Sequence, residues 1–155
     1  MRKIIETSCL LFVIALSIAV EPARSQRDTS TPAVPQITPE ELVKILHAAG
    51  GDKPAIFQVG FHVLYAQAHI PQSVYAGPGS TQSGLQSLQK QVESLPRDKF
   101  IILYCGCCPW VHCPNVKPAY EQLRAKGFTN VKVLYIADNF GADWVDKGYP
   151  VAKGD

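Results

Sequence analysis

The sequence has no apolar run long enough to cross a bilayer, no excess of charge of either sign, no internal repeat and no cysteine between Cys9 and Cys105. Each absence excludes something. The longest apolar run, Cys9 to Val20, is 12 residues, whereas a spanning helix takes about 20. With Arg2 and Lys3 ahead of it and the small residues Ala23 and Ser25 behind it, it reads as a secretory leader over residues 1–25, cleaved after Ser25. Glu6-Thr7-Ser8, just before Cys9, lacks the Leu and small residues of a lipoprotein box, so no lipid anchor is expected. The mature protein is then periplasmic or secreted, with no stable membrane association.

Setting aside the leader's Arg2, Lys3, Arg24, Glu6 and Glu21 leaves 12 basic residues of the 15 and 11 acidic residues of the 13. A chain so close to neutral carries no electrostatic argument for nucleic acid or for an anionic membrane surface. The four remaining cysteines, Cys105, Cys107, Cys108 and Cys113, lie within nine residues. They are too close together to staple distant segments, which is what disulfides do in small secreted domains. In an oxidising compartment they must instead be reactive, paired locally, or holding something.

What is present suits one domain. A chain of 155 residues, 46% of them apolar, fills one core and leaves no room for a second catalytic domain. Residues 26–36, "QRDTSTPAVPQ", have no apolar period and read as a flexible linker. The domain is expected over residues 37–152. It starts with a capping box, Thr38 followed three residues later by Glu41, with Pro39 in the first helical turn. Strands are expected at Ala55–Gly60, Ser73–Ala76, Phe100–Tyr104 and Val131–Ile136. Helices are expected at Phe61–Gln67, Leu85–Leu95, Val116–Lys126 and about Ala142–Lys147. Strands and helices alternate with no hairpin signal. The expected architecture is therefore α/β: an open, mostly parallel sheet with helices on both faces. Reactive crevices of such sheets lie at the carboxyl ends of the strands, and the cysteine cluster begins where the strand ending at Tyr104 stops.

The loop "YCGCCPWVHCPN" supports three chemistries. In the first, Cys105 is a nucleophile. A thiol at a strand end, ringed by inward amides and facing the start of the next helix, sits in a positive field that favours thiolate. Gly106, Cys107, Cys108, Pro109 and Trp110 would form the substrate loop, Lys117 would add charge, and His112 would pair with a thiolate or shuttle a proton. Pro109 and Pro114 each remove one amide from that cradle. In the second, Cys107, Cys108, His112 and Cys113 would hold zinc or copper(I). The third is local disulfide chemistry, with Cys108 or Cys113 resolving an oxidised or sulfur-loaded Cys105. Cys105 and Cys108 also form a C-x-x-C between a strand and a helix, as in thioredoxin. The bland alternatives are an inert, packed Cys105, a solvated His112 and a Trp110 that only covers the loop.

The order of short signals resembles a rhodanese-type single domain. "TPEEL", "AHIP" (Ala68–Pro71), "IILYC", "AYEQLRAKGFTNVKVL" and "DWVDKGYPV" (Asp143–Val151) follow one another as that family's pieces do. The resemblance implies a five-stranded rhodanese-like sheet, with Cys105 as the sulfur-carrying cysteine and His69 as a structural residue bonded to backbone. It implies a ping-pong sulfurtransferase of the thiosulfate sulfurtransferase kind, working between a small sulfur donor and a thiol acceptor. No cofactor is implied, and a monomer is expected. The sequence departs from the family in two places. Gln58-Val59-Gly60 stands where Asp-x-Arg is usual, and the loop is several residues longer, lacks Arg and carries three extra cysteines. It is also similar to a Cys-rich variety of bacterial rhodanese domains whose loop begins "YCGCCP".

Overall fold

The computed structural model describes residues 33–154; the leader and most of the linker lie outside the described residues. Five parallel strands form one sheet: β1 (Gln36–Ile37), β2 (Ala55–Gln58), β3 (Val74–Tyr75), β4 (Ile101–Tyr104) and β5 (Val131–Leu134). Their order is β1-β5-β4-β2-β3, so β4 is central and hydrogen-bonds to β2 on one side and β5 on the other. All four pairings are parallel, which requires a crossover between successive strands and explains the missing hairpin signals.

The crossovers are α1 (Pro39–His47), α2 (His62–Gln67), α3 (Gln82–Val92) and α4 (Val116–Ala125), with a π-helical turn at Gly141–Val145 after β5. The capping box at α1 is made: Thr38 Oγ1 accepts from Glu41 N at 3.2 Å, and Glu41 Oε2 accepts from Thr38 N at 2.9 Å. One strand departs from the sequence reading. The linker expected through Gln36 ends early, because Gln36 and Ile37 pair with Val133 and Leu134 as an edge strand, and Val34 packs on the core. Two residues are too few to show a strand period, and the tether composition around them hides the signal.

Side chains of β4 alternate between two cores. Ile101, Leu103 and Cys105 join Phe57, Val133 and the α3 and α4 residues Leu88, Val92, Ala119 and Leu123. Ile102 and Tyr104 join Leu42 of α1 and Phe140 and Trp144 around the π-turn. Period two along the strand therefore decides which face each group meets, and it turns Cys105 toward α3 and α4. The structure also explains the "AHIP" and "GYPV" pieces. His69 stacks on Tyr65 with ring centroids 3.9 Å apart, and its Nδ1 lies 2.9 Å from Tyr65 O. His69 and Ala152 exchange backbone hydrogen bonds of 2.9 Å, and Trp144 Nε1 donates to Pro150 O at 2.8 Å. Both pieces are latches that close the chain's end onto the sheet. Among the described residues no helix is long and apolar enough to cross a membrane.

Candidate active site

Cys105 leaves the central strand at the carboxyl edge of the sheet. Only 3% of it is exposed, and its surroundings are set by residues from four segments. Gln58, at the end of β2, donates from Nε2 to Cys105 O at 2.9 Å, while its Oε1 accepts from Gly60 N at 3.0 Å. This amide ties the ends of β2 and β4 together in the place where Asp-x-Arg is usual. Gly60 is required by closeness: a Cβ there would stand 2.7 Å from Cys105 Sγ and 2.8 Å from Gln58 Nε2. Gly106 is required by conformation. Its φ is +85°, and an added Cβ would meet Phe140 Cβ at 2.7 Å.

From Gly106 the loop arches outward and returns. Gly106 O accepts from Phe140 N at 3.0 Å and Ile136 O accepts from Trp110 N at 2.9 Å, which pins the arch to the segment after β5. A 3-10 turn at Trp110–His112 follows, closed by Cys113 N donating to Trp110 O at 3.1 Å. That turn reverses the chain and carries Cys113, 7% exposed, back beneath the arch. Asn115, with no exposed surface, fixes the return: its Oδ1 accepts from Ser80 N at 3.0 Å and its Nδ2 reaches Cys105 Sγ at 3.4 Å.

Four reduced sulfurs result. Cys105 Sγ lies 3.3 Å from Cys107 Sγ, and Cys107 Sγ lies 3.2 Å from Cys108 Sγ. The sulfurs of Cys105, Cys107 and Cys113 all lie within 4.8 Å of one another. This set differs from the metal set expected from sequence. Cys105 takes the place of Cys108 and His112, because the 3-10 turn folds Cys113 onto the strand end and leaves His112 exposed.

The electrostatics also differ from expectation. Cys105 was expected to hold the thiolate, but it is pushed up from the ordinary thiol range, first by hydrogen bonding to Cys113 and then by burial. Cys113 is pulled down to about 6, first by the Cys105 hydrogen bond, with the Asn115 and Val116 amides at the start of α4 adding to it. Of this pair Cys113 is the more readily ionised and Cys105 the less. The field of the helix start is real, but the chain delivers Cys113 to it. Cys108 is pushed up to about 12, chiefly by burial. Lys117 lies exposed on α4 with its Nζ 3.8 Å from Glu121 Oε1, an i,i+4 pair on the helix surface. Trp110 is half-buried and packs, with Cys107 and Cys108, against the α3/α4 core.

Beside the sulfurs a cavity of about 390 Å³ opens between α2, the end of β4 and the π-turn; Gln58, Gln67, Tyr104, Cys105, Cys107 and Asn139 line it. That volume is in the range of small-molecule sites. Three residues that sequence reasoning did not assign to the site build it: Gln58, Gly60 and Asn115. Asn115 sits in the quoted loop, yet a buried asparagine before a helix is indistinguishable by sequence from an ordinary helix cap.

The Rhodanese-like domain family matches residues 38–135, and the chain belongs to that family. Among solved structures it is similar to the Alr3790 protein from Anabaena sp., at 19% identity and a TM-score of 0.58, over 76% of this chain and 92% of that one. It is also similar to the BH2092 protein from Bacillus halodurans, at 21% identity and a TM-score of 0.57, over 77% of each chain. A rhodanese-like domain protein from Staphylococcus aureus is a third, at 16% identity and a TM-score of 0.54, over 79% of this chain and all of that one. At these identities the likeness is one of fold. No protein with a curated description matches the chain.

Proposed function

We propose that the domain transfers sulfane sulfur through a persulfide on Cys105. The observation that carries this reading is the seat of Cys105 Sγ, at the end of the central strand and next to the cavity. Asn115 Nδ2 lies 3.4 Å from it, and the Cys113 sulfur is within 4.8 Å. Asn115 Nδ2 is a donor suited to the negative charge of a persulfide at that seat.

The cycle has two halves. In the first, Cys105 Sγ attacks the outer sulfur of a donor such as thiosulfate while its proton passes to the Cys113 sulfur. The donor's S–S bond breaks, its electron pair leaves with sulfite, and a Cys105 persulfide forms. In the second, an acceptor thiolate attacks the outer sulfur, the Cys105 sulfur leaves with the bonding pair, and the proton returns from Cys113. Cys113 is a base in one half and an acid in the other, the part sequence reading had offered to His112. The C-x-x-C alternative has less support, since the sulfurs beside Cys105 are those of Cys107 and Cys113, and Cys108 meets Cys107.

Steady-state transfer from thiosulfate to a small thiol tests this. The expected result is ping-pong kinetics abolished in Cys105→Ser and retained in Cys108→Ser; transfer surviving in Cys105→Ser overturns it. Export rests on the leader-like residues 1–25. A mature protein beginning at Gln26 in the periplasmic or culture fraction is expected, and an intact Met1 in the cytosolic fraction would refute it.

A further inference from the structure

We infer that Cys105, Cys107 and Cys113 form a three-sulfur site for a soft metal ion of low coordination number, of the copper(I) class. The inference stands apart from sulfur transfer and uses Cys107, which the transfer cycle leaves idle. The first ground is spacing. Three thiolates around one ion at a metal–sulfur length of about 2.3 Å lie about 4.0 Å apart in a plane. Here one edge is 3.3 Å and none exceeds 4.8 Å, so sub-ångström side-chain shifts close the triangle.

The second ground is the donor set. All three ligands are sulfur, and soft thiolates select copper(I) and related ions over hard ones. The polar groups nearby do not compete as ligands. Asn115 turns its NH₂ toward Cys105 Sγ and uses its oxygen on Ser80 N, and the backbone N–H groups of Asn115 and Val116 point at the Cys113 sulfur. These donors offset the negative charge that several thiolates around a monovalent ion retain, as outer partners of metal ligands do.

The third ground is the number of ligands and the burial of two of them. Cys105 and Cys113 are 3% and 7% exposed. A structural zinc site asks for four ligands and a catalytic one for an open water position. The fourth cysteine, Cys108, follows Cys107 directly in sequence, and its sulfur lies 3.2 Å beyond it. Two buried sulfurs and one half-buried one, without a nitrogen or oxygen ligand, fit a three-coordinate ion best.

The test is anaerobic titration of the reduced, full-length chain with copper(I) against a coloured copper(I) chelator. One ion per chain is expected. Cys105→Ser, Cys107→Ser and Cys113→Ser should each weaken binding at least about 100-fold, the upper range for losing a mere outer partner. Cys108→Ser and His112→Ala should bind as the wild type does. Loss of binding in either of these two, or retention in any of the first three, overturns the site. X-ray absorption on the copper-loaded wild type needs no variant to fold: a shell of three sulfurs is expected, and a nitrogen or oxygen ligand refutes it.

Discussion

The two flanks of the cysteine loop and its arch are made of similar residues and are held in opposite ways. At the flanks, Cys105, Cys113 and Asn115 are buried; Cys105 and Asn115 are hydrogen-bonded to each other and to β2 and the Ser80 backbone, and Cys113 N donates to Trp110 O. Along the arch, Cys107 to Trp110 are half-buried and Val111 and His112 are exposed. Two backbone contacts, Phe140 N to Gly106 O and Trp110 N to Ile136 O, tie the arch down. Under the proposed sulfur transfer, that difference puts the chemistry at the flanks. Thiols become reactive where donors and partners are fixed, and the arch contributes a further sulfur and a cover.

Four substitutions sharpen this contrast. The largest stability loss is expected for Gly106→Ala, which forces a side chain into φ +85° and against Phe140. Left-handed strain and overpacking together should cost about 3 kcal/mol in denaturant unfolding. A loss below about 0.5 kcal/mol would show the arch free to relax.

Next is the proton shared by the buried thiols. In the reduced, metal-free protein Cys113 should be alkylated with a midpoint near 6, its rate rising with pH as the thiolate forms. Cys105→Ala removes the largest cause of that lowering, so the midpoint should climb toward the ordinary thiol value of about 8.5. An unmoved midpoint would assign the low value to the amides of α4 alone.

Asn115→Ala takes the partner from the Ser80 N–H and strips a donor from Cys105, at an expected cost of about 2 kcal/mol. Sulfur uptake should slow as well, and a variant that loses stability at unchanged uptake would make Asn115 a purely structural tie. The smallest effect belongs to the arch. Val111, 64% exposed, changed to Ser should shift stability by no more than about 0.5 kcal/mol, and a larger shift would mean that the arch is packed in solution.

The contrast also marks what could be read from the sequence. Strand β4 announces itself as an unbroken apolar run, and Thr38 with Glu41 writes the start of α1 in four residues. Cys105 stood out because a strand ends there. Which sulfur meets it did not. Cys113 reaches Cys105 only through the 3-10 turn and the ties to Ile136 and Phe140, contacts that no local pattern encodes. The same holds for Gln58, whose amide became a bridge once β2 and β4 lay side by side. Lys117 looked useful from its position near the start of α4, but its place on the exposed helix surface gives it Glu121 as partner.

Peptide mapping decides whether Cys105, as proposed, is the sulfur acceptor among four neighbouring thiols. Reduced protein is loaded with one equivalent of thiosulfate, its remaining thiols and the persulfide are blocked, and the loop peptide is fragmented. One added sulfur on Cys105 is expected. Finding it on Cys107 or Cys108, with Cys105 carrying only the blocking group, would contradict transfer through Cys105.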